Sequence, residues 1–127
     1  MNLLLDTTVL VDVLRRRNER HSWLDEMAEA GHRLTTCAMC VGEVYAGMRP
    51  GEEVRTQGLL TALPCYPITM AIAARAGQLR CEWSRIGITL TLTDMMIAAT
   101  ALEYGLALVT ENRKDFPMDG IEFFPPA

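Results

Sequence analysis

The chain has 127 residues, of which 50% are apolar and 22% are charged, and its formal net charge at pH 7 is −4. These values are ordinary for a globular protein and predict one domain spanning residues 1–127. The negative charge argues against a protein that coats nucleic acid electrostatically, although it does not exclude a nuclease. No apolar run reaches the ~18 residues of a membrane span. Residues 1–17 also differ from a secretion signal, because their basic cluster follows the apolar stretch, so we expect a cytoplasmic protein.

Apolar periodicity and turn residues predict strands and helices that alternate along the chain. The first strand, residues 2–5, precedes a helix that Thr7 or Thr8 is expected to cap, and Thr93 is expected to cap the last helix. Several strands are continuous apolar runs, which is typical of a parallel sheet covered by helices on both faces. We therefore predict an α/β fold of three layers, α/β/α, with a mostly parallel central sheet. The later predicted helices cover residues 19–30, 38–48, 53–63, 69–86 and 94–104, and the later strands cover residues 33–37, 65–68, 106–110 and 121–124.

Three carboxylates lie in or beside apolar runs, where an uncompensated charge is costly. Asp6 follows the first predicted strand, Glu43 lies in the helix after the second strand, and Asp94 begins the last helix. In open α/β sheets, ligands bind beyond the carboxyl ends of the strands, so the three acids can converge on one edge of the sheet. Converging carboxylates suit a hard divalent cation, for which Mg2+ is the leading candidate. The sequence therefore predicts a metal site suited to phosphodiester hydrolysis.

Each acid also has an ordinary structural explanation. Asp6 can cap the first helix, which stabilises a helix by ~1 kcal/mol, and Asp94 carries a charge that is favoured in a first helical turn. Glu43 is harder to explain in this way, because its neighbours Val44 and Tyr45 are expected to face the core. Taken singly, each carboxylate is evenly balanced between a structural role and a ligand role. Their joint placement at strand ends favours ligands.

Two further clusters are interpreted as structural. Cys37 and Cys40 form a Cys-x-x-Cys pair, but Cys65 and Cys81 lie apart from each other, so reduced cysteines are preferred over a zinc site. The pair does come near a strand end, where redox Cys-x-x-Cys motifs occur, but it lacks the surroundings of a thioredoxin. The basic run at residues 15–17 is interpreted as a solvated helix end rather than a phosphate contact.

The order and spacing of three segments resemble the motifs of PIN-domain ribonucleases, and most closely those of the VapC-type toxins of bacterial toxin–antitoxin pairs. The resemblance extends over essentially the whole chain, and its last segment is the most specific. The segments are LLDTTVLVDVL at residues 4–14, TTCAMCVGEVYAG at residues 35–47 and TDMMIAATALEYGLALVTENRKDF at residues 93–116.

This resemblance implies a PIN-like fold and a Mg2+-dependent endoribonuclease, with Mn2+ as a substitute, that a cognate antitoxin holds in check. It also implies a homodimer and an RNA substrate, with structured RNA such as tRNA a frequent target in the family. Asp6, Glu43 and Asp94 take the family's three main acidic positions. The fourth position, an acid or amide after the last core strand, falls on Asn112. Either Asp115 supplies the missing charge or a second metal binds weakly.

Hydroxyl and basic side chains complete the predicted site. Thr110 matches a hydroxyl that the family places near the metal, and Thr7 offers a second one. Arg113 is among the basic residues that are expected to flank the groove and hold RNA phosphates. In the expected reaction, water attacks the phosphodiester in line, and the products carry 5′-phosphate and 3′-hydroxyl ends.

Three other functions remain open on the sequence alone. A haloacid-dehalogenase-like phosphatase would use Asp6 as its nucleophile, but that family has a second Asp two residues on, where this chain has Thr8. Lys114 is also badly placed to serve as the lysine of that family. A receiver-like signalling domain would need paired acids near the first strand, which the chain lacks. The third alternative is a catalytically inactive fold used only for interaction.

Overall fold

The computed structural model describes residues 1–125, in which five parallel strands form a central sheet. The strands are β1 (Asn2–Leu5), β2 (Arg33–Cys37), β3 (Cys65–Tyr66), β4 (Ala107–Val109) and β5 (Glu122–Phe123). The α-helices that connect them are α1 (Thr7–Leu14), α2 (Arg20–Glu29), α3 (Ala38–Ala46), α4 (Glu53–Ala62), α5 (Met70–Arg85) and α6 (Leu92–Tyr104). A short 3-10 helix, Arg113–Asp115, follows β4.

The strand order across the sheet is β3-β2-β1-β4-β5, and every neighbouring pair is parallel. The chain moves outward from β1 to β3 and then returns past β1 to β4, so the order reverses between β1 and β4. Since strand–helix–strand connections are right-handed, α1 to α4 pack on one face of the sheet, and α5 and α6 pack on the other. The prediction of an α/β/α fold with a parallel sheet is confirmed.

The two strands at this reversal form the centre of the core. Leu3, Leu4 and Leu5 of β1 and Leu108 of β4 have no solvent exposure, because a parallel strand covered on both faces buries successive side chains. In register, Leu4 pairs with Leu108. The buried run of β1 continues into Asp6, which is only 6% exposed. The fold therefore places a carboxylate at the end of a buried strand, at the edge of the hydrophobic core.

The caps predicted at Thr93 and at Thr7 or Thr8 are wrong, whereas the capping role that the sequence also allows for Asp6 is confirmed. Helix α6 begins at Leu92, because the Thr91 hydroxyl accepts a hydrogen bond from the Asp94 amide at 3.1 Å, and Thr93 lies inside the helix. A Thr followed three residues later by an acid is a capping pattern that the sequence does contain at this position. Helix α1 is capped by Asp6, whose carboxylate accepts from the amide of Thr7.

The basic run at residues 15–17 is only partly solvated, as Arg15 forms specific contacts. Its Nε lies 3.2 Å from the Glu52 carboxylate, and its guanidinium also donates to the Gly47 carbonyl at 3.2 Å. The hydrogen bond from Arg15 lowers the pKa of Glu52 to about 2. Arg16 and Arg17 are exposed, as expected. Arg15 therefore ties the end of α1 to the segment between α3 and α4.

No helix within residues 1–125 combines the length and the apolar character that crossing a bilayer requires.

The capping of α6 gives a stability prediction. Thr91→Ala is expected to lower the free energy of unfolding by ~1 kcal/mol, because the Asp94 amide loses its acceptor. Thr93, whose hydroxyl donates to that of Thr91 at 3.1 Å, is the matched control. Thr93→Ala is expected to cost less than Thr91→Ala, because the Asp94 amide keeps its acceptor. Urea unfolding followed by circular dichroism measures both values. Equal losses in the two variants would contradict the assignment of Thr91 as the cap.

Candidate active site

Asp6 lies where the strand order reverses, between the carboxyl ends of β1 and β4. Its amide donates to the Val109 carbonyl at 3.0 Å, and its carbonyl accepts from the Leu10 amide at 3.1 Å. The backbone of Asp6 is thus bonded to a neighbouring strand on one side and to α1 on the other. Open α/β sheets bind ligands in the crevice at such a reversal. The fold therefore holds this carboxylate in the expected binding position.

Two threonines bind the carboxylate of Asp6. The Thr7 amide donates to Oδ1 and the Thr110 hydroxyl donates to Oδ2, each at 2.7 Å. The Thr110 hydroxyl oxygen also accepts from the Asn112 amide at 3.0 Å. Both carboxylate oxygens therefore have donors, one from the start of α1 and one from the end of β4. This network fixes the orientation of the side chain.

Glu43 is connected to Asp6 through Thr7. Glu43 lies on α3 and is partly buried, and its Oε1 accepts a hydrogen bond from the Thr7 hydroxyl at 2.7 Å. Thr7 therefore donates its amide to one carboxylate and its hydroxyl to the other. Two acids that are distant in the sequence are held on either side of one residue. Tyr45, which was expected to face the core beside Glu43, is instead 43% exposed.

Burial raises the pKa of Asp6 above its ordinary value. The hydrogen bonds from Thr110 and Thr7 offset part of this effect, while the negative charges of Glu43 and Asp115 add to it. A neighbouring like charge disfavours ionisation. The pKa of Asp6 is therefore raised chiefly by its removal from water, with a smaller contribution from the neighbouring carboxylates.

Asp94 shares the same electrostatic environment from the opposite face of the sheet. It lies in the first turn of α6 and is partly buried. Burial raises its pKa, Thr91 offsets part of the effect, and the charges of Asp6 and Asp115 raise it further. Asp115 ends the 3-10 helix that follows β4. Helix α6 and the segment after β4 therefore bring two more acids toward Asp6.

Basic side chains do not neutralise this group of acids. Among the residues that the structure describes, none of Asp6, Glu43, Asp94 and Asp115 takes part in an ion pair. The ion pairs in that part of the chain join Arg15 to Glu52, Arg20 to Glu111 and Arg75 to Glu103. A buried carboxylate without a cation is unfavourable for folding, so the site keeps a negative charge that a bound cation could compensate.

The donor atoms fit a hard divalent cation in an open site. Carboxylate and hydroxyl oxygens are the ligand types that Mg2+ prefers. However, no three His, Cys, Asp or Glu side chains in residues 1–125 lie close enough together to hold an ion between them. Mg2+ keeps several of its waters and often uses only one or two protein carboxylates. The arrangement therefore suits a water-rich Mg2+ site and does not suit a closed protein cage.

Asn112 and Arg113 contribute differently from the acids. Asn112 makes its contacts through its backbone: its amide donates to the Thr110 hydroxyl at 3.0 Å, and its carbonyl accepts from the Asp115 amide at 3.0 Å. The Arg113 guanidinium lies over the Phe123 ring, 5.0 Å from its centroid, and donates to the Pro125 carbonyl, on the β5 side of the segment. The catalytic, metal-binding and phosphate-binding roles assigned to these residues and to the acids stay predictions.

An ion pair beside the site was not expected from the sequence. Arg20 of α2 pairs with Glu111, which lies between Thr110 and Asn112, and its guanidinium also lies 5.0 Å from the centroid of the Trp23 ring. These contacts tie α2 to the segment after β4. Arg20 and Glu111 are 91 residues apart, so only the folded chain reveals their relation.

Comparison with known proteins is consistent with this geometry. The PIN domain model matches residues 3–117. The chain belongs to the PIN-domain family. It is 34% identical over 116 residues to ribonuclease VapC10 of Mycobacterium tuberculosis, an alignment that covers 91% of this chain and 86% of the relative. The resemblance to PIN-domain VapC proteins is therefore confirmed.

Solved structures show the same PIN-domain architecture. A toxin–antitoxin complex from Klebsiella pneumoniae contains a chain that matches with a TM-score of 0.76 and 30% identity, over 93% of this chain and 92% of that one. VapBC2 from Rickettsia felis, bound to a DNA fragment from its promoter, matches with a TM-score of 0.80 and 21% identity, over 97% of both chains. At 21% identity, the match to VapBC2 is evidence for the fold alone.

The raised pKa of Asp6 predicts how stability depends on pH. Because the folded-state pKa lies above 3.8, the stabilisation from the protonated carboxyl is fully present below that pH and is lost as pH rises through the folded-state pKa. Asn cannot ionise. In the presence of a chelator, Asp6→Asn is therefore expected to be more stable than the wild type at neutral pH, by a margin that shrinks on acidification.

Urea unfolding of both proteins between about pH 4 and about pH 8 measures this margin. Asp12→Asn removes a carboxylate from the same helix outside the site and supplies the baseline for charge removal. A margin that is constant across the pH range, or that grows on acidification, would contradict the placement of an uncompensated carboxylate at this point of the fold.

Proposed function

We propose that this PIN domain is a divalent-metal-dependent endoribonuclease toxin that hydrolyses RNA phosphodiester bonds. One observation carries the proposal: the buried carboxylate of Asp6 lies at the reversal of the sheet, with no basic partner among residues 1–125. Thr7 donates to this carboxylate and also to that of Glu43. The charges of Asp94 and Asp115 act on this point as well. The relation to VapC ribonucleases supports the assignment of this chemistry to RNA.

Asp6 and Asp94 are the proposed direct ligands of Mg2+, with Mn2+ as a substitute. Glu43 binds the ion either directly or through water, while Asp115 and Asn112 complete a second site or hold waters. When bound, the cation supplies Lewis-acid activation of water and neutralises charge on the phosphate. These assignments use only oxygen donors from residues that lie around the carboxyl ends of β1 and β4.

The chain's own residues position the reacting groups. Thr110 and Thr7 hold Asp6 in one orientation, so its oxygens need little reorganisation when substrate binds. The Glu43 carboxylate accepts from Thr7 through Oε1, and its remaining lone pairs can accept from a water molecule and direct it at phosphorus. Such alignment of a nucleophile contributes to rate by proximity and orientation.

RNA enters a site whose own charge is negative, so other groups must hold its phosphates. Arg113 follows Asn112 immediately and is the proposed phosphate contact on the β5 side of the site. When RNA binds in this way, the Arg113 guanidinium gives up its hydrogen bond to the Pro125 carbonyl and forms a charge-assisted hydrogen bond to a phosphate. Structured RNA such as tRNA is the proposed substrate class, recognised by shape and by exposed loops.

A cognate antitoxin is the proposed inhibitor, and the toxin is proposed to be a cytoplasmic homodimer. The Klebsiella pneumoniae relative, 30% identical, was solved as a toxin–antitoxin complex. An antitoxin Arg or Lys that reached Asp6 would supply the cation that the site lacks and would block it. The acids without ion pairs therefore fit inhibition by a basic side chain as well as metal binding.

An inactive interaction module is the second candidate. The observation in its favour is that no three potential ligand side chains in the described part of the chain surround a common point. Such a module would keep the fold and the antitoxin surface and would not cleave RNA. A phosphatase that uses Asp6 as nucleophile is a further outcome of the same experiment, although Thr8 occupies the position of its second acid.

The purified protein, incubated with total RNA and Mn2+, is expected to cleave RNA, and a chelator is expected to stop the reaction. Asp6→Asn and Asp94→Asn are each expected to lose at least ~100-fold in rate, because each removes transition-state stabilisation of several kcal/mol. Gel electrophoresis and sequencing of the RNA ends measure the rate and the 5′-phosphate products. Cognate antitoxin, added in excess, is expected to suppress cleavage.

Asp12→Asn is the control and is expected to retain wild-type activity. The Asp12 carboxylate accepts a hydrogen bond from the Asn18 side-chain amide and lies outside the acidic group. A small phosphate ester is tested in parallel. Hydrolysis of the ester without cleavage of RNA would favour the phosphatase. Inactivity on both substrates, in a protein that still binds its antitoxin, would favour the interaction module.

A further inference from the structure

A pair of cysteines lies beside the acidic site and has no part in the proposed reaction. Cys37 is the last residue of β2 and the N-cap of α3, and Cys40 lies in the first turn of that helix. Their sulfur atoms are 3.5 Å apart and share a hydrogen bond. Both are free thiols with no solvent exposure. A disulfide has a sulfur–sulfur distance of about 2 Å, so only a small movement separates this pair from a bond.

The local geometry favours reactivity of Cys37. The hydrogen bond with Cys40 lowers the pKa of the Cys37 thiol, despite the opposing effect of burial, and the amides of Cys40 and Met39 lower it further. The same hydrogen bond, together with burial, raises the pKa of Cys40 well above its ordinary value. A thiolate stabilised at a helix N-terminus beside a second thiol is the arrangement of reactive Cys-x-x-Cys pairs. Both thiols are buried, so a peroxide reaches them when the start of α3 opens locally.

A metal site is a poorer account of the pair. Cys65 lies on the neighbouring strand and its register partner is Thr36, yet it is exposed. No third His, Cys, Asp or Glu joins the two buried thiols to form a metal-binding group within residues 1–125. Structural zinc sites need four ligands. The pair therefore has the partners for a disulfide and lacks the partners for zinc.

We propose that Cys37 and Cys40 are a redox-modification site, in which a peroxide converts the two thiols into an intramolecular disulfide that displaces the start of α3. The Cys37 thiolate attacks one peroxide oxygen, the O–O bond breaks, and a sulfenic acid forms with release of water once the leaving oxygen is protonated. Cys40 then attacks the sulfenic sulfur, the S–O bond breaks, and a second water leaves. The two sulfurs are oxidised and the peroxide is reduced to water.

The disulfide would act on the acidic site through α3. Glu43 lies on that helix one turn after Cys40, and its carboxylate accepts from Thr7. The side chain of Cys40 also adjoins Thr7, and the charge of Asp6 acts on both thiols. Drawing the two sulfurs together therefore moves the first turn of the helix that carries Glu43. This consequence rests on the proposed function, whereas disulfide formation does not.

The test uses the full chain with Cys65→Ser and Cys81→Ser, which removes the two exposed thiols. The folded protein is treated with hydrogen peroxide, then unfolded and alkylated, and its intact mass is measured. The expected product has lost the mass of two hydrogen atoms, resists alkylation and reverts with dithiothreitol. RNA cleavage is expected to fall roughly 100-fold on oxidation, the effect of a ~1 Å misplacement in a catalytic group, and to return on reduction.

Cys40→Ser in the same background is the matched control and is expected to give neither the disulfide nor reversible loss of activity. If that variant fails to fold, peptide mapping of the oxidised wild type identifies the Cys37–Cys40 cross-link directly. Both thiols remaining open to alkylation after peroxide treatment would overturn the proposal. A disulfide that forms without changing RNA cleavage would overturn its effect on the site. If the reduced protein does not cleave RNA at all, the proposed function fails, while the mass still decides whether the disulfide forms.

Discussion

The hydrogen-bonded carboxylate of Asp6 is the interaction on which the rest of the site depends. The three residues before Asp6, at the end of β1, have no solvent exposure. Burial of an ionised group next to them disfavours folding. Donors from Thr7 and Thr110 compensate part of that cost, and no basic residue within residues 1–125 pairs with Asp6 to compensate the rest. Natural proteins tolerate such local conflicts chiefly at functional sites. Asp6 caps α1, but a cap does not require burial among other acids.

The sheet topology explains why distant residues meet around Asp6. The reversal between β1 and β4 brings the start of α1 beside the segment after β4, and α3 and α6 begin at the same edge. Thr7 then connects Asp6 to Glu43. The two cysteine thiols lie at the start of α3, the helix that carries Glu43. In the proposed redox step, a covalent change in the core is transmitted through one helical turn to an acid of the site.

The sequence predicted the strands, the parallel sheet and the edge at which Asp6, Glu43 and Asp94 lie, because these follow from apolar runs and from a general topological rule. It did not predict the contacts that depend on side-chain conformation. Thr91 and Thr93 are both plausible caps by residue type. The acid three residues after Thr91 favours Thr91, and the helix path confirms it. The pairing of Arg20 with Glu111 and the bond from Thr7 to Glu43 likewise join residues whose proximity exists only in the folded chain.

The central claim is that the Asp6 carboxylate is kept without a protein cation because a divalent ion binds there. Anomalous diffraction from crystals grown with Mn2+ tests it most directly. The account predicts an anomalous peak at a ligand distance of about 2.2 Å from an Asp6 carboxylate oxygen, and loss of that peak in Asp6→Asn. A well-ordered Asp6 with no peak beside it at saturating Mn2+, or a peak that survives in Asp6→Asn, would contradict the account.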